Sequence, residues 1–364
     1  MLPNPFAPEA RLVGAPGYAA PTRHPQPVPP PPTPAPRPAP RRPNASPLAE
    51  APAALRVQSA EAAKAEARAF YLDGLGNGET THWSCLDENW TWMKKEISCL
   101  TGYPNHGKSR LIHHVMLIKA ARKGWKFAVY VPENESDFYV EMAQMLVGRT
   151  ANKKFAHNRM SLEELEVAVE WLCQHFFVVE APEGCTPKQL LAAFAELHAT
   201  TPLDGVLIDP WNQLSHDFQS REDIYLSEQY SALKRFAIKH ELAVVMTAHP
   251  AGSVKDKNGK LVVPDAYSIS GGKMTNNKFD NVLAMFRPNF PDPACELWIH
   301  KIKKQGRVGK PGMIELTYDP ASNRYAPRLG DTTSPLEAVS FNAPGAGYDA
   351  HRLPASDFDT PAPF

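Results

Sequence analysis

Through the middle of the chain, short unbroken apolar runs alternate with longer stretches whose apolar residues recur at helical spacing. EISCL (96–100), KFAVYVPENES (126–136), FFVVE (176–180), GVLIDPWN (205–212) and LAVVMTAHP (242–250) each carry a compact apolar run closed by polar or turn residues. NVLAMFRP (281–288) has the same form, and the alternation continues through CELWIHKIKK and GMIELTYD. Runs of this length read as strands, the fully apolar ones as strands buried on both faces. Between them, 109–124, 137–148, 161–174, PKQLLAAFAELHAT (187–200) and IYLSEQYSALKRFAIKH (224–240) read as helices, the first closed by Gly124. Strand–helix alternation predicts an α/β fold: a mainly parallel twisted sheet with helices on both faces and its ligand at the carboxyl ends of the strands.

The ends of the chain break this pattern. Residues 1–50 hold 17 of the 37 prolines, in runs such as QPVPPPPTPAPRPAP, a composition that favours extended polyproline segments over a core. The expected division is a disordered Pro-rich arm at 1–56, a linker helix at 57–75, a globular body at 76–328 and a disordered tail at 329–364. The linker, SAEAAKAEARAFYL, has too narrow an apolar face to stand alone and is expected to dock on another surface. The three tryptophans of THWSCLDENWTWMKKE read as a lid on the core. Five cysteines, odd in number and without a CxxC pair, argue against a zinc ribbon and a secreted disulfide framework. With no long apolar span and no signal-like start, the expectation is a cytoplasmic protein without a membrane partner. Formal net charge is zero, so any polyanion binding must come from local patches.

One such patch is chemically explicit. LTGYPNHGKS contains GxxxxGK[ST] between a predicted strand and a predicted helix, the context in which backbone N–H groups converge on phosphates at a helix N-terminus. Gly102, Tyr103, Pro104, Asn105, His106, Gly107, Lys108, Ser109 and Arg110 are the candidate ATP-binding loop. Lys108 would reach the β- and γ-oxygens, and Ser109 would ligate Mg²⁺. Asp209, at the end of GVLI, is the candidate second metal ligand, and Glu133, after FAVYVP, the candidate base for an attacking water. His249, after VVMTA, is a candidate sensor of the γ-phosphate. Each has an ordinary structural alternative: a turn aspartate, a helix N-terminal charge, a satisfied strand-end histidine.

TGYPNHGKS, YVPENES, LIDPWNQL, TAHP, NKFDNVLAMFRP and KIKKQGRVGKPG, in this order, resemble the motifs of hexameric replicative DNA helicases of the DnaB and Twinkle type. The resemblance covers roughly residues 70 to 327 and is closest to the Twinkle branch, in a phage-like form without a primase domain. It implies a RecA-like P-loop NTPase core that hydrolyses ATP with Mg²⁺ between subunits of a hexameric ring and moves on single-stranded DNA. It also implies a Lys-x-Arg pair donated to the neighbouring subunit's ATP. Here the pair falls on Lys301 and Lys303, so the expected arginine finger is a lysine. Lysine lacks the bidentate guanidinium, leaving three alternatives: Lys303 at a lower rate, Arg307 reaching instead, or weak turnover.

Residues 250–310 carry eleven Lys or Arg against five Asp or Glu. Within this region Ser270, Gly271, Gly272 and Lys273 are the candidate DNA contacts, while Lys255, Lys257 and Lys260 read as a flexible surface excursion. The end of the chain, PASDFDTPAPF, resembles acidic, aromatic-ended tails that recruit replisome partners such as a polymerase, a primase or a single-stranded-DNA-binding protein. Two other functions would use the same nucleotide site: a non-ring RecA-like ATPase of recombination or helicase loading, and an ATP-gated replisome scaffold.

Overall fold

The computed structural model describes residues 57–74, 76–289 and 292–337. The Pro-rich arm and the acidic, Phe-ended segment lie outside the described residues. In chain order the elements are α1 (Ala60–Asp73), α2 (Ser84–Asp87), β1 (Ile97–Thr101), α3 (Lys108–Lys123), β2 (Phe127–Tyr130), α4 (Phe138–Val147), α5 (Leu162–His175) and β3 (Phe176–Val178). They continue with α6 (Pro187–Thr200), β4 (Gly205–Ile208), α7 (Glu222–Lys239), β5 (Ala243–Ala248), α8 (Gly272–Lys278), β6 (Asn281–Phe286), β7 (Ala294–Ile302), β8 (Gly312–Asp319) and β9 (Arg324–Pro327). Among the described residues no helix is long and apolar enough to cross a membrane.

The strands form one nine-stranded sheet in the order β3-β2-β4-β5-β1-β6-β7-β8-β9. Pairings from β3 to β6 are parallel, and those from β6 to β9 antiparallel. The parallel strands are covered twice. Alternate residues, such as Leu100, Val129, Leu207 and Val245, enter a core with α3, α4 and α5. Their neighbours Cys99, Ala128, Ile208 and Val244 enter a second core with α6 and α7. β7 instead buries one side only: Cys295, Leu297 and Ile299 face the first core while Glu296, Trp298 and His300 are half-buried. An antiparallel extension with one face open explains why CELWIHKIKK alternates when the parallel strands do not.

Local signals set the helix ends. α5 and α6 start on capping boxes, Ser161 with Glu164 and Thr186 with Gln189, each satisfying two backbone donors at the open helix end. α3 stops where Gly124 turns left-handed at φ 68°. Trp83, Trp90 and Trp92 are buried in the first core, as the lid reading required.

Two parts of the chain depart from the sequence reading. β9 was not expected, because RYAP is short and contains proline; it pairs through Tyr318↔Tyr325 and its neighbours at the edge of the sheet. The chain also stays packed beyond 328. Leu336 is fully buried in the first core, and the Ser334 hydroxyl lies 3.3 Å from His114 Nε2, so the packed body runs past the boundary placed at 328. The described side chains of α1 are exposed.

Candidate active site

Four neighbouring parallel strands, β2, β4, β5 and β1, end on the same edge of the sheet, and each delivers one part of the site. β1 leads directly into the phosphate loop. Gly102 (φ 154°), Asn105 (φ 64°) and Gly107 (φ 90°) hold conformations that let the loop curl back on itself. At Gly102 a side chain would press on the Met285 carbonyl and the Lys108 stem. β9 buttresses the loop from below, where Tyr325 Oη donates to the Gly107 carbonyl at 3.1 Å.

Lys108 folds into this loop and donates to the carbonyls of Gly102 at 2.9 Å and Tyr103 at 3.2 Å. Its Nζ also lies 3.2 Å from His249 Nδ1, at the end of β5. Burial lowers its pKa to about 8, against the pull of Asp209 and Glu133 in the other direction. His249 is held down by burial and by the Lys108 charge. Asp209 closes β4 and is buried; Thr247 donates its hydroxyl to Oδ1, and His113 Nε2 stands 3.7 Å from Oδ2. Glu133 follows β2, exposed to solvent, and accepts from Gln213 Nε2 at 2.8 Å. Lys108, Glu133, Asp209 and His249 thus gather at one place from positions spread over more than a hundred residues.

Two residues beside them were not singled out by the motifs alone. Asn212 Oδ1 accepts from the His249 backbone N–H at 3.2 Å, and Gln213 fixes Glu133; both follow Asp209 in DPWNQ, and their polarity beside a strand-end aspartate was the available signal. His106 is neutral, pushed down to about 4 by burial and by Lys108 and Arg287; its Nδ1 accepts from the Arg287 N–H at 3.0 Å. Beside the loop, a narrow pocket is lined by His106, Arg110, Arg287, Tyr318 and Tyr325. Arg110 itself pairs with Glu141 at 3.3 Å. Pro104 and Asn105 form the exposed crest of the loop.

Ser109 and Asp209 supply hard oxygen donors, and among the described residues no cluster of three or more His, Cys, Asp or Glu forms an all-protein cage. That donor set fits Mg²⁺, which keeps several waters and takes its remaining ligands from phosphate.

The basic residues near the last strands lie elsewhere. Lys303 N–H donates to the Asp280 carbonyl, and the Asp280 N–H to the Ile97 carbonyl, which places Lys303 beside the start of β1. The phosphate loop leaves the other end of that strand, roughly 13 Å away at about 3.3 Å per residue. Lys301 is engaged by the carbonyls of Asn276 and of Phe279, the latter at 2.8 Å. Lys303 is largely exposed and 3.4 Å from Asp280. Arg307 donates to the Gly76 carbonyl. None of the three reaches the phosphate loop of its own chain.

The 250–273 segment contains a surface hairpin. Lys255 bridges to Leu261, and Val262 N–H donates to the Val254 carbonyl at 2.8 Å, making a hairpin that displays Lys255, Lys257 and Lys260. The buried Tyr103 of the phosphate loop ties it down: its hydroxyl donates to the Val262 carbonyl at 2.9 Å and accepts from the Val254 N–H at 3.2 Å. Gly271 and Gly272, expected to present N–H groups to DNA, are also closely packed, since side chains there would run into Leu226 and the Ala266 carbonyl. Ser270 bonds Glu222, and Lys273 is exposed.

No family model matches the chain. The Twinkle homolog protein, chloroplastic/mitochondrial, of Arabidopsis thaliana is 28% identical over 278 residues, which cover 72% of this chain and 38% of that protein. This chain therefore spans about two fifths of the relative's length. Among solved structures, the ATPase domain of G40P superposes with a TM-score of 0.60 at 14% identity over 75% of this chain and all of that one. A DnaB-like replicative helicase, described with its interactions with primase, superposes with a TM-score of 0.58 at 13% identity over 72% and 66% of the two chains. The fold is thus the RecA-like fold of these solved structures, and along most of its length the chain is similar in sequence to a Twinkle protein.

Proposed function

We propose that this protein is an ATP-dependent DNA helicase of replication, which hydrolyses ATP at the interfaces of a hexameric ring and moves on single-stranded DNA. The observation that carries this reading is the split of the charged groups. Lys108, Glu133, Asp209 and His249 meet at one edge of the sheet, while Lys301, Lys303 and Arg307 stand at the other. A cation on the far edge cannot serve its own site. In a head-to-tail ring it would face the next subunit's.

On this reading, phosphate oxygens take Lys108 away from the Gly102 and Tyr103 carbonyls. Ser109 and Asp209 would hold Mg²⁺, which when bound would draw charge from the transferring phosphoryl group. Glu133, oriented by Gln213, accepts the proton of the attacking water. His249, beside Lys108, bonds the γ-phosphate and passes its loss to the hairpin that follows. Lys303 of the neighbouring subunit neutralises the developing charge, with Arg307 as the other candidate. Ser270, Gly271, Gly272 and Lys273 contact DNA phosphates. The α1 linker docks on a neighbouring subunit, and the arm and tail engage replisome proteins. Five free cysteines support a reducing compartment, and we assign the protein to the cytoplasm.

Mass measurement with a non-hydrolysable ATP analogue and a single-stranded oligonucleotide tests the ring: six-fold assembly is expected, and a monomer under every condition overturns it. Mixtures of Lys108→Ala and Lys303→Ala subunits test shared clefts, since a mixed ring regains some intact ones. Mixtures no more active than the sum of their parts favour the non-ring ATPase. Survival of cellular function in Glu133→Gln would favour the scaffold.

A further inference from the structure

His113 is the buried polar side chain that the chemistry above leaves unused. It is 1% exposed, and neither ring nitrogen has a hydrogen-bond partner among the described residues. A buried imidazole left in this way is costly relative to a bonded one, and its neighbour the Phe138 ring, 5.1 Å away and edge-on, offers no hydrogen bond to a ring nitrogen. A leucine would fill the same space without that cost.

Its position is specific. His113 follows Ser109 by four residues in α3, so the two side chains share a face of the helix one turn apart. Across from that face lies Asp209. Thr247 already donates to Oδ1 of this carboxylate, and His113 Nε2 is 3.7 Å from Oδ2. That separation is longer than a hydrogen bond, and a small rotation of the carboxylate would close it.

We propose that His113 is a positioning residue for the metal ligand Asp209: its Nε2–H closes on Oδ2 and, with Thr247 on Oδ1, holds the carboxylate toward the cation shared with Ser109. The proposal rests on the reading of Ser109 and Asp209 as the protein ligands. It concerns orientation, with no proton transferred. Groups that orient a ligating side chain in this way typically contribute 10- to 100-fold to metal affinity.

The test uses the full chain with ADP and Mn²⁺ as the probe, followed by the electron paramagnetic resonance of free and bound Mn²⁺. Fluorescent-ADP binding without metal serves as a second readout. His113→Leu is expected to weaken Mn²⁺ binding at least tenfold while leaving metal-free ADP binding unchanged. His113→Gln, whose amide nitrogen replaces Nε2, is expected to stay close to the wild type. Should the leucine variant fail to fold, His113→Phe keeps the volume and planarity and is expected to show the same loss. Ser109→Ala and Asp209→Asn separate the two readings. If both leave Mn²⁺ affinity intact, the metal site itself is misassigned. If both weaken it while His113→Leu or His113→Phe does not, or if His113→Gln is as weak as they are, the positioning role is overturned.

Discussion

At the carboxyl edge of the sheet a lysine, two carboxylates and a histidine stand together, and the lysine is held by backbone carbonyls and an imidazole. At the opposite edge the buried acids are already matched. Glu96 pairs with Lys304 at 2.9 Å and accepts from Asn281, while Asp280 takes Lys234 and the Ile97 N–H, with the exposed Lys303 outside this set at 3.4 Å. Both clusters are ionic and both are built on strand ends. The second is a closed set, in which removing either partner leaves a charge without compensation, so it fastens the base of the sheet. The first keeps its cation on neutral acceptors that an anion can outbid. Burial alone does not mark a working site; the kind of partner does.

The sharpest way to break this contrast is to empty the first cluster. Lys108→Ala is expected to abolish nucleotide binding and ATP hydrolysis together. Glu133→Gln is expected to lower hydrolysis by about 10³ or more while fluorescent nucleotide still binds, because Glu133 is exposed and supports no packing. Equal loss of binding in both variants would mean the carboxylate is structural.

The next largest effect decides which far-edge cation is active. Lys303→Ala is expected to reduce steady-state hydrolysis by about 10² with binding retained, a smaller loss than an arginine finger carries because lysine stabilises the charge at one point. Arg307→Ala is expected to change it little, since that guanidinium holds Gly76. The reverse outcome moves the role to Arg307.

A pH titration probes the first cluster without mutation. Burial brings the Lys108 ammonium to about 8, and phosphate binds the charged form. Binding therefore takes up a proton above that value. Affinity for a fluorescent nucleotide should be level below it and fall by about tenfold per pH unit above it. A flat profile across that range would show that Lys108 stays charged in the empty site.

The smallest expected effect lies between the regions. Tyr103→Phe removes the hydroxyl that ties the hairpin to the phosphate loop, at a cost of about 1 kcal/mol in local stability. Trypsin should then cut faster at Lys255, Lys257 and Lys260, read by mass spectrometry of the early fragments. Unchanged cleavage would mean that the hairpin holds itself.

Much of the fold was readable because its strands are unusually uniform. GVLI and AVVM are apolar throughout since helices cover both faces, and the polar residue closing each run marks the edge where chemistry sits. CELWIHKIKK alternates because its burial is one-sided, a pattern that the strand–helix reading did not use. RYAP gave no such signal. Its strand exists because β8 offers an unfilled edge, and its Tyr325 then supports Gly107 from more than two hundred residues away. Leu336 was hidden for the same reason: a single apolar residue in a polar stretch acquires meaning only from the gap that receives it. In the site, Lys108, Ser109, Glu133, Asp209 and His249 were nameable from motif and strand-end position. Gln213, Asn212 and His113 were not, because their roles depend on facing side chains that no local spacing encodes.

What the amino-acid order determined by itself was local and periodic: which segments become strands, where helices start and stop, and which loop can curl around a phosphate. These follow from backbone sterics and from the burial of alternating or continuous apolar faces, all short-range along the chain. Only the tertiary structure decided that β1 has its phosphate loop at one end and Lys303 at the other, that Tyr103 holds a basic hairpin, and that His113 stands under Asp209. Strand order and direction set those distances, and they arise from contacts between residues far apart in sequence, where the same side chain can be a partner, a filler or a reagent.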